Sequence, residues 1–189
     1  MVSTQIRQLT SVEYYQMMES GIIREGERVE LILGQIFTMA AKGTRHTLST
    51  RKLFKQLLAL IGDRADVQSQ DPITLPNNSE PEPDIVIARL RSDDYVNSHP
   101  SPADIILVIE VADSSIKFDR EIKAPLYAAA GISEYWIVNL IDNHLEIYRQ
   151  PEGSIYTSIQ IITPTRSVSL PQFTDIMLNI NDFFPASKT

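Results

Sequence analysis

Apolar residues along this chain follow two spacings, and the helical spacing is clearest in two segments. Between residues 44 and 61 they recur every three or four positions, which predicts a long amphipathic helix that ends at Gly62. A second helix is expected over residues 119–131, with Asp119 near its N-cap. Its first turn should be irregular, because Pro125 lacks an N–H group and restricts the residue before it.

Short apolar runs predict strands in the remaining parts of the chain. Residues 84–88 and 105–111 are continuous apolar runs, the pattern of strands that are buried on both faces. The polar residues 89–103 between them should form an exposed connection, and the Pro- and Asn-rich residues 76–83 a loop. Further strands are expected at residues 27–33, 35–39, 65–70, 73–75, 135–140, 145–149 and 156–162.

Both ends of the chain also predict helices. Residues 11–20 should form a short helix with Ser11 as its N-cap, and residues 175–184 a short capping helix. Helices and strands alternate around apolar central strands, so we expect an α/β (α+β) fold in which helices flank a mixed central sheet. Residues 27–39 should add an N-terminal hairpin that turns at Gly34.

Length and composition predict one folded domain. The chain has 189 residues, of which 43% are hydrophobic and 22% charged, as in ordinary globular proteins. We therefore expect a single domain over residues 1–189, with its core at about residues 28–150. The chain has no cysteine, no signal-peptide pattern and no run as long as a membrane span. A soluble cytoplasmic protein is the expectation.

The net charge argues against a nucleic-acid partner. It is −7, whereas proteins that bind nucleic acids usually neutralise phosphates with a basic surface. Part of this negative charge is accounted for if some carboxylates form a metal site, where a bound divalent cation reverses the local sign.

Two acids stand out because of their position next to buried strands. Asp84 begins one such strand after Pro83, and Glu110 lies at the end of the other. A buried carboxylate is costly unless a cation balances it, and oxygen ligands favour Mg²⁺ or Mn²⁺ over zinc. Taken singly, an acid at a strand end is more often a solvated group than a ligand.

A lysine follows on the predicted helix. Lys123 lies four positions after Asp119 and four before Tyr127, so the three share one helix face if the helix is regular. An ammonium group near a metal-bound water can position the attacking hydroxide or stabilise charge on a phosphate. The alternative is that Asp119 and Lys123 form a simple surface ion pair.

The combination of segments is more specific than any single residue. The stretches PEPDIVIA, DIILVIEVADSS and FDREIKAPLYAAAGISEYWIVN resemble the Uma-type restriction endonuclease family of the PD-(D/E)XK nuclease superfamily, over roughly residues 10–150. This resemblance implies a restriction endonuclease-like core with Asp84 and Glu110 as metal ligands and the Val111 carbonyl as a further ligand. Ala112 stands where the simplest superfamily pattern has lysine, so the resemblance assigns that role to Lys123.

Four more residues are secondary candidates. Glu30, on the predicted hairpin, either joins the metal cluster or is an exposed strand residue. His46 is either a base or phosphate contact, or a local hydrogen-bonding group at the start of its helix. Asp119 is expected to orient Lys123, and Tyr127 to pack behind this lysine or contact substrate.

Together these features predict a Mg²⁺- or Mn²⁺-dependent endonuclease that acts on DNA. RNA and single strands stay open as substrates, and base recognition would need loops such as residues 89–102 or a partner. The alternative from another class is a catalytically inactive nuclease fold that serves as a binding or scaffold protein. A homodimer is expected, because two sites related by a twofold axis can cut both strands of a duplex, and the apolar hairpin after Trp136 is a candidate interface.

Overall fold

A mixed six-stranded sheet forms the centre of the computed structural model, which describes residues 5–185. The strands are β1 Val29–Ile32, β2 Gln35–Thr38, β3 Asp66–Gln68, β4 Ile85–Ala88, β5 Ile105–Ala112, β6 Glu134–Asn139, β7 His144–Glu152, β8 Ile155–Ile162, β9 Ser167–Leu170 and β10 Phe173–Asn179. The central order is β3-β4-β5-β6-β7-β8, and β1-β2 and β9-β10 form two separate hairpins. The predicted mixed α/β architecture with an N-terminal hairpin is confirmed.

Helices cover the two faces of the central sheet. They are α1 Ser11–Glu19, α2 Thr44–Ile61, α3 Ile116–Phe118, a π-helical turn Asp119–Lys123, α4 Ala124–Ala129, and 3₁₀ turns at Gly62–Arg64 and Ile180–Phe183. Among the strands of residues 5–185, only β5 and β6 pair in parallel, and the helical segment from α3 to α4 forms the crossover between them. This crossover therefore packs directly against the strand that carries Glu110.

Alternate residues of the central strands supply two apolar layers. Leu53, Leu57 and Ile61 of α2 pack with the layer that includes the fully buried Trp136. Leu126 and Tyr127 of α4 pack with the opposite layer. β4 and β5 are buried on both faces, so their sequences are apolar except for Glu110, and this is the pattern by which they were predicted.

The N-cap of the N-terminal helix lies one residue before the expected position. Thr10, and not Ser11, is the N-cap of α1. The Thr10 hydroxyl accepts a hydrogen bond from the Glu13 N–H, and the Glu13 carboxylate accepts one from the Thr10 N–H. This reciprocal capping box requires an acid three residues after the cap, which Thr10 has and Ser11 lacks.

The C-terminal prediction of a helix over residues 175–184 is wrong for most of its length. Residues up to Asn179 belong to β10, and only a short 3₁₀ turn follows. Ile176, Leu178 and Ile180 are buried while Met177 is 58% exposed, so the apolar residues alternate with the period of a strand. Residues 73–75 are also not a strand, since Leu75 forms only an isolated bridge to Ser79.

The predicted helix over residues 119–131 begins earlier and is irregular where expected. It starts at Ile116, so Asp119 lies inside it and is not its N-cap. A π-helical turn precedes Pro125, whose ring cannot continue a regular hydrogen-bond ladder. Among the helices of the described residues, none is both long and apolar enough to cross a membrane.

Candidate active site

Strand pairing brings Asp84 and Glu110 together. In the antiparallel pairing of β4 and β5, Ile85 lies opposite Ile109, so the next pair along is Asp84 and Glu110. The Asp84 N–H donates to Glu110 Oε2 at 3.3 Å, and each residue is only 4% exposed. Glu110 lies two residues before the end of β5 rather than at its last residue, because the strand continues to Ala112.

Three donors surround the Asp84 carboxylate. Its Oδ2 accepts hydrogen bonds from the Val111 N–H at 2.9 Å and from His46 Nε2 at 2.8 Å. Its Oδ1 accepts one from Lys42 Nζ at 3.1 Å. Burial alone would raise the pKa of Asp84, but the contacts with His46, Lys42 and the Val111 N–H lower it overall. Asp84 is therefore an ionised carboxylate in a buried position.

Lys123 lies between Glu110 and a further acid, Glu30. Its Nζ is 2.8 Å from Glu110 Oε1 and 3.1 Å from Glu30 Oε1, and all three side chains are almost fully buried. The Tyr127 hydroxyl also donates to Glu110 Oε1, at 2.9 Å. Burial would lower the pKa of Lys123, but Glu110, Glu30 and Asp119 raise it overall, so the lysine is protonated.

The helical crossover from α3 to α4 carries Asp119, Lys123 and Tyr127. Lys123 and Tyr127, four residues apart, both contact Glu110 as a shared helix face predicts. Asp119 precedes them by a π-helical turn, and its carboxylate accepts a hydrogen bond from the Ser115 hydroxyl at 2.6 Å. Burial raises the pKa of Asp119 to about 6.

A cavity opens in front of this group and is rich in acids. Its lining includes six acids together with the basic Arg28, Lys42 and Lys123. The six are Glu30, Glu82, Asp84, Glu110, Asp113 and Asp119. Since carboxylates outnumber the basic groups, the cavity attracts cations.

The donor set suits a divalent cation only in part. Glu30 Oε2 is buried and has no hydrogen-bond partner, and Glu110 Oε2 has only the long contact with the Asp84 N–H. Such oxygens favour Mg²⁺ or Mn²⁺. Lys42 occupies the remaining oxygen of Asp84, however, and no three His, Asp or Glu side chains of residues 5–185 converge as a preformed metal site. A cation bound by Asp84 and Glu110 therefore requires Lys42 to move.

Burial of Glu110 gives the site a pH dependence. Burial raises its pKa from 4.5 to about 8, although the contact with Lys123 opposes this shift. Between these values the folded protein holds a proton that the unfolded chain has lost, so the free energy of unfolding should fall as pH rises. One such group contributes at most about 1.4 kcal/mol per pH unit.

We therefore expect the cation-free protein to lose stability as the pH is raised from about 6 to about 8, with Asp119, whose pKa is about 6, contributing only at the lower end of this range. Urea unfolding in EDTA at several pH values measures this slope. The Glu110→Gln variant retains the shape of the side chain but not its proton exchange, so its stability should depend less on pH. Equal slopes in the two proteins would show that Glu110 does not titrate in this range.

The sequence identified the central residues but missed some of their neighbours. Lys42 and Glu82 were not singled out, although Lys42 contacts Asp84 and both residues line the cavity. Lys42 precedes α2 by two residues in an irregular segment, so no helical or strand periodicity indicates its direction. No aspartate or glutamate occurs between Leu31 and Gly62, and this absence could have indicated that the segment lies near negatively charged groups.

Comparison with known proteins agrees with this architecture. The model of the Uma2 family, described as "Putative restriction endonuclease", matches residues 12–181. The fold is similar to the crystal structure of a "putative nuclease belonging to DUF820" from Anabaena variabilis ATCC 29413, with a TM-score of 0.73 and 16% sequence identity. That match covers 93% of this chain and 97% of the other. No curated protein sequence matches.

Proposed function

Because this chain belongs to the Uma2 family, whose description is that of a restriction endonuclease, we propose that it is a metal-dependent endonuclease of the PD-(D/E)XK type that hydrolyses phosphodiester bonds in DNA. In this proposal Asp84 and Glu110 bind Mg²⁺ or Mn²⁺, with the Val111 carbonyl as a further ligand, and Lys123 is the basic partner. The match of 170 consecutive residues, from 12 to 181, supports the nuclease class. The metal, the substrate and the residue roles are our inference.

One observation carries the proposal. Asp84, immediately before β4, lies beside Glu110 of the neighbouring strand β5, and Glu110 in turn pairs at 2.8 Å with the buried Lys123. Burying several ionised groups is expensive, and replacing them with apolar side chains would often make a protein more stable. An acid-rich buried cluster that opens into a cavity is therefore better explained by chemistry than by stability.

The protonation states assign different tasks to these residues. A bound divalent cation would lower the pKa of a water molecule and neutralise charge on the phosphate. Lys123 cannot accept a proton at neutral pH, since its pKa is raised, so it acts as a fixed positive charge that orients the attacking water and stabilises the phosphorane-like charge. Tyr127 and Glu30 hold Glu110 and Lys123 in place.

The surrounding residues complete the arrangement. His46 donates to the same Asp84 oxygen that accepts from the Val111 N–H, so it fixes the direction of this carboxylate. Glu30 is buried and paired with Lys123, which supports its membership in the cluster over the alternative of an exposed strand residue. Two copies of the chain related by a twofold axis would cut both strands of a duplex, and we propose a homodimer for this reason.

A catalytically inactive scaffold is the second candidate, and one observation favours it. Lys42 and Lys123 already pair with the acids, so the cluster is partly neutralised without a metal. Titration calorimetry with Mn²⁺ separates the two candidates. An enzyme of the proposed type should bind Mn²⁺ in the wild type and lose this binding in Asp84→Asn and Glu110→Gln, whereas a scaffold has no reason to bind it.

The position of Lys42 makes a prediction about metal affinity. Its ammonium group occupies Asp84 Oδ1, with 23% of its side chain exposed, and it must leave before a cation binds there. The Lys42→Met variant should therefore bind Mn²⁺ more tightly than the wild type, by up to about fivefold, which corresponds to roughly 1 kcal/mol for a partly exposed ion pair. Calorimetry measures this change, and the exposed Lys55→Met on α2 is the matched control. Unchanged affinity in Lys42→Met would show that this lysine does not compete with the metal.

A further inference from the structure

Charge is distributed very unevenly along this acidic chain. The net charge is −7, yet no aspartate or glutamate occurs between Leu31 and Gly62. The lysines and arginines of this acid-free segment are Lys42, Arg45, Arg51, Lys52 and Lys55. The segment therefore forms a basic region on a protein whose remaining residues are strongly acidic.

The basic region begins at the cavity and continues along one helix. Lys42 lines the cavity, and α2 starts at Thr44 and extends for 18 residues. His46, Leu53 and Leu57 of this helix are buried, which fixes the inner face of α2. Arg51 and Lys55 lie one turn apart on the exposed face.

Structural roles do not account for all of these basic residues. Arg45 donates to the Leu140 carbonyl, and Lys52 is near the Phe184 carbonyl. In residues 5–185, by contrast, no carboxylate lies within salt-bridge distance of Arg51 or Lys55. Like charges four residues apart destabilise a helix, so this pair does not serve the stability of α2.

We propose that the exposed face of α2, represented by Arg51 and Lys55, is a nucleic-acid-binding surface that contacts phosphates beside the scissile bond. The proposal rests on the nuclease function inferred above and adds where the substrate lies. Charge complementarity selects this partner, because a polyanion gains from the basic region and is repelled by most of the remaining surface. The basic face of α2 would therefore allow a protein with a net negative charge to bind a negatively charged substrate.

Distances along the helix suit this geometry. With a rise of about 1.5 Å per residue, Arg51 lies about 10 Å and Lys55 about 16 Å beyond the start of α2. Duplex DNA carries one phosphate about every 3.4 Å along each strand, so these distances span several nucleotides. A nucleic-acid strand that leaves the cavity near Lys42 and follows the outer face of α2 would contact both side chains a few phosphates away from the cleaved bond.

The test compares two variants that remove the same number of positive charges. Arg51→Gln/Lys55→Gln removes the exposed pair on α2, and Arg24→Gln/Arg166→Gln removes two exposed arginines elsewhere. Binding to a fluorescent DNA duplex, and to an RNA duplex of the same sequence, is measured in EDTA over a range of salt concentrations. Thermal unfolding of each variant and its Mn²⁺ affinity verify that the fold and the metal site are intact.

The α2 variant should bind the duplex about 60-fold more weakly than the wild type at 0.1 M salt. The slope of log K against log salt should also decrease in magnitude by about 1.8, which corresponds to the loss of two phosphate contacts. The control variant should match the wild type. Equal losses in the two variants, or none in either while the wild type binds, would overturn the proposed surface but leave the nuclease function standing. If the wild type neither binds nor cuts any nucleic acid, the proposed function fails, and the proposed surface fails with it. A loss of affinity for the RNA duplex without one for the DNA duplex would contradict DNA as the polymer that this surface holds.

Discussion

Replacing either of the proposed metal ligands, Asp84 or Glu110, should abolish cleavage. Asp84→Asn and Glu110→Gln keep nearly the same shape and remove the negative charge that a divalent cation requires. Metal ions contribute several kcal/mol to the stabilisation of charge in such a transition state, so we expect a decrease in the single-turnover rate of at least about 1000-fold. The measurement is cleavage of a labelled duplex with Mg²⁺ or Mn²⁺ at saturating enzyme.

The two variants also have internal controls. Glu110→Gln should remain folded in EDTA, because its amide oxygen can still accept the hydrogen bonds from Lys123 and Tyr127 and Glu30 still pairs with Lys123. Asp84→Asn keeps an oxygen that can accept the Val111 N–H hydrogen bond. Cleavage at the wild-type rate by a folded variant that binds no Mn²⁺ would place the catalytic centre elsewhere on the molecule.

The second large effect is expected for Lys123. Lys123→Met retains the aliphatic stem and removes the ammonium group between Glu110 and Glu30. If this charge stabilises the transition state, the cleavage rate should fall about 100- to 1000-fold while the substrate affinity changes little. Single-turnover rates at several DNA concentrations separate the two effects.

Loss of Lys123 also leaves buried acids without a partner, so its effect on folding must be controlled. Removing one member of a buried ion pair usually costs about 3–5 kcal/mol. The double variant Lys123→Met/Glu30→Gln removes one of the stranded charges and should recover part of the free energy of unfolding. If the double variant regains stability and also regains full activity, Lys123 has a structural role only.

The centre of the site was predictable because it depends on local signals and on adjacent strands. Asp84 and Glu110 each flank or lie in a continuous apolar run, and such runs pair in the middle of a sheet. Lys123 and Tyr127 have the spacing of one helix face, and both contact Glu110. The π-helical turn that precedes them agrees with the irregularity expected from Pro125.

Other parts of the molecule depend on tertiary contacts or on a weaker periodicity. Lys42 reaches Asp84 from an irregular segment 42 residues away in sequence, and no local pattern specifies that contact. The β10 strand was mistaken for a helix because it has few buried residues. The periodicity of so short a strand is too weak to distinguish it from a helix. The α1 cap was misplaced by one residue because Thr10 and Ser11 are both good caps, and only the acid at position 13 decides between them.

The most direct test of the nuclease assignment is cleavage of supercoiled plasmid DNA by the wild-type protein in EDTA, in Mg²⁺ and in Mn²⁺, beside the Asp84→Asn variant. We predict nicked or linear product from the wild type with either metal, and intact plasmid in EDTA and with the variant. Product that forms equally in EDTA, or in the Asp84→Asn variant, would contradict a metal-dependent reaction at this carboxylate. A wild type that leaves the plasmid intact under every condition and binds no Mn²⁺ would instead favour the inactive scaffold.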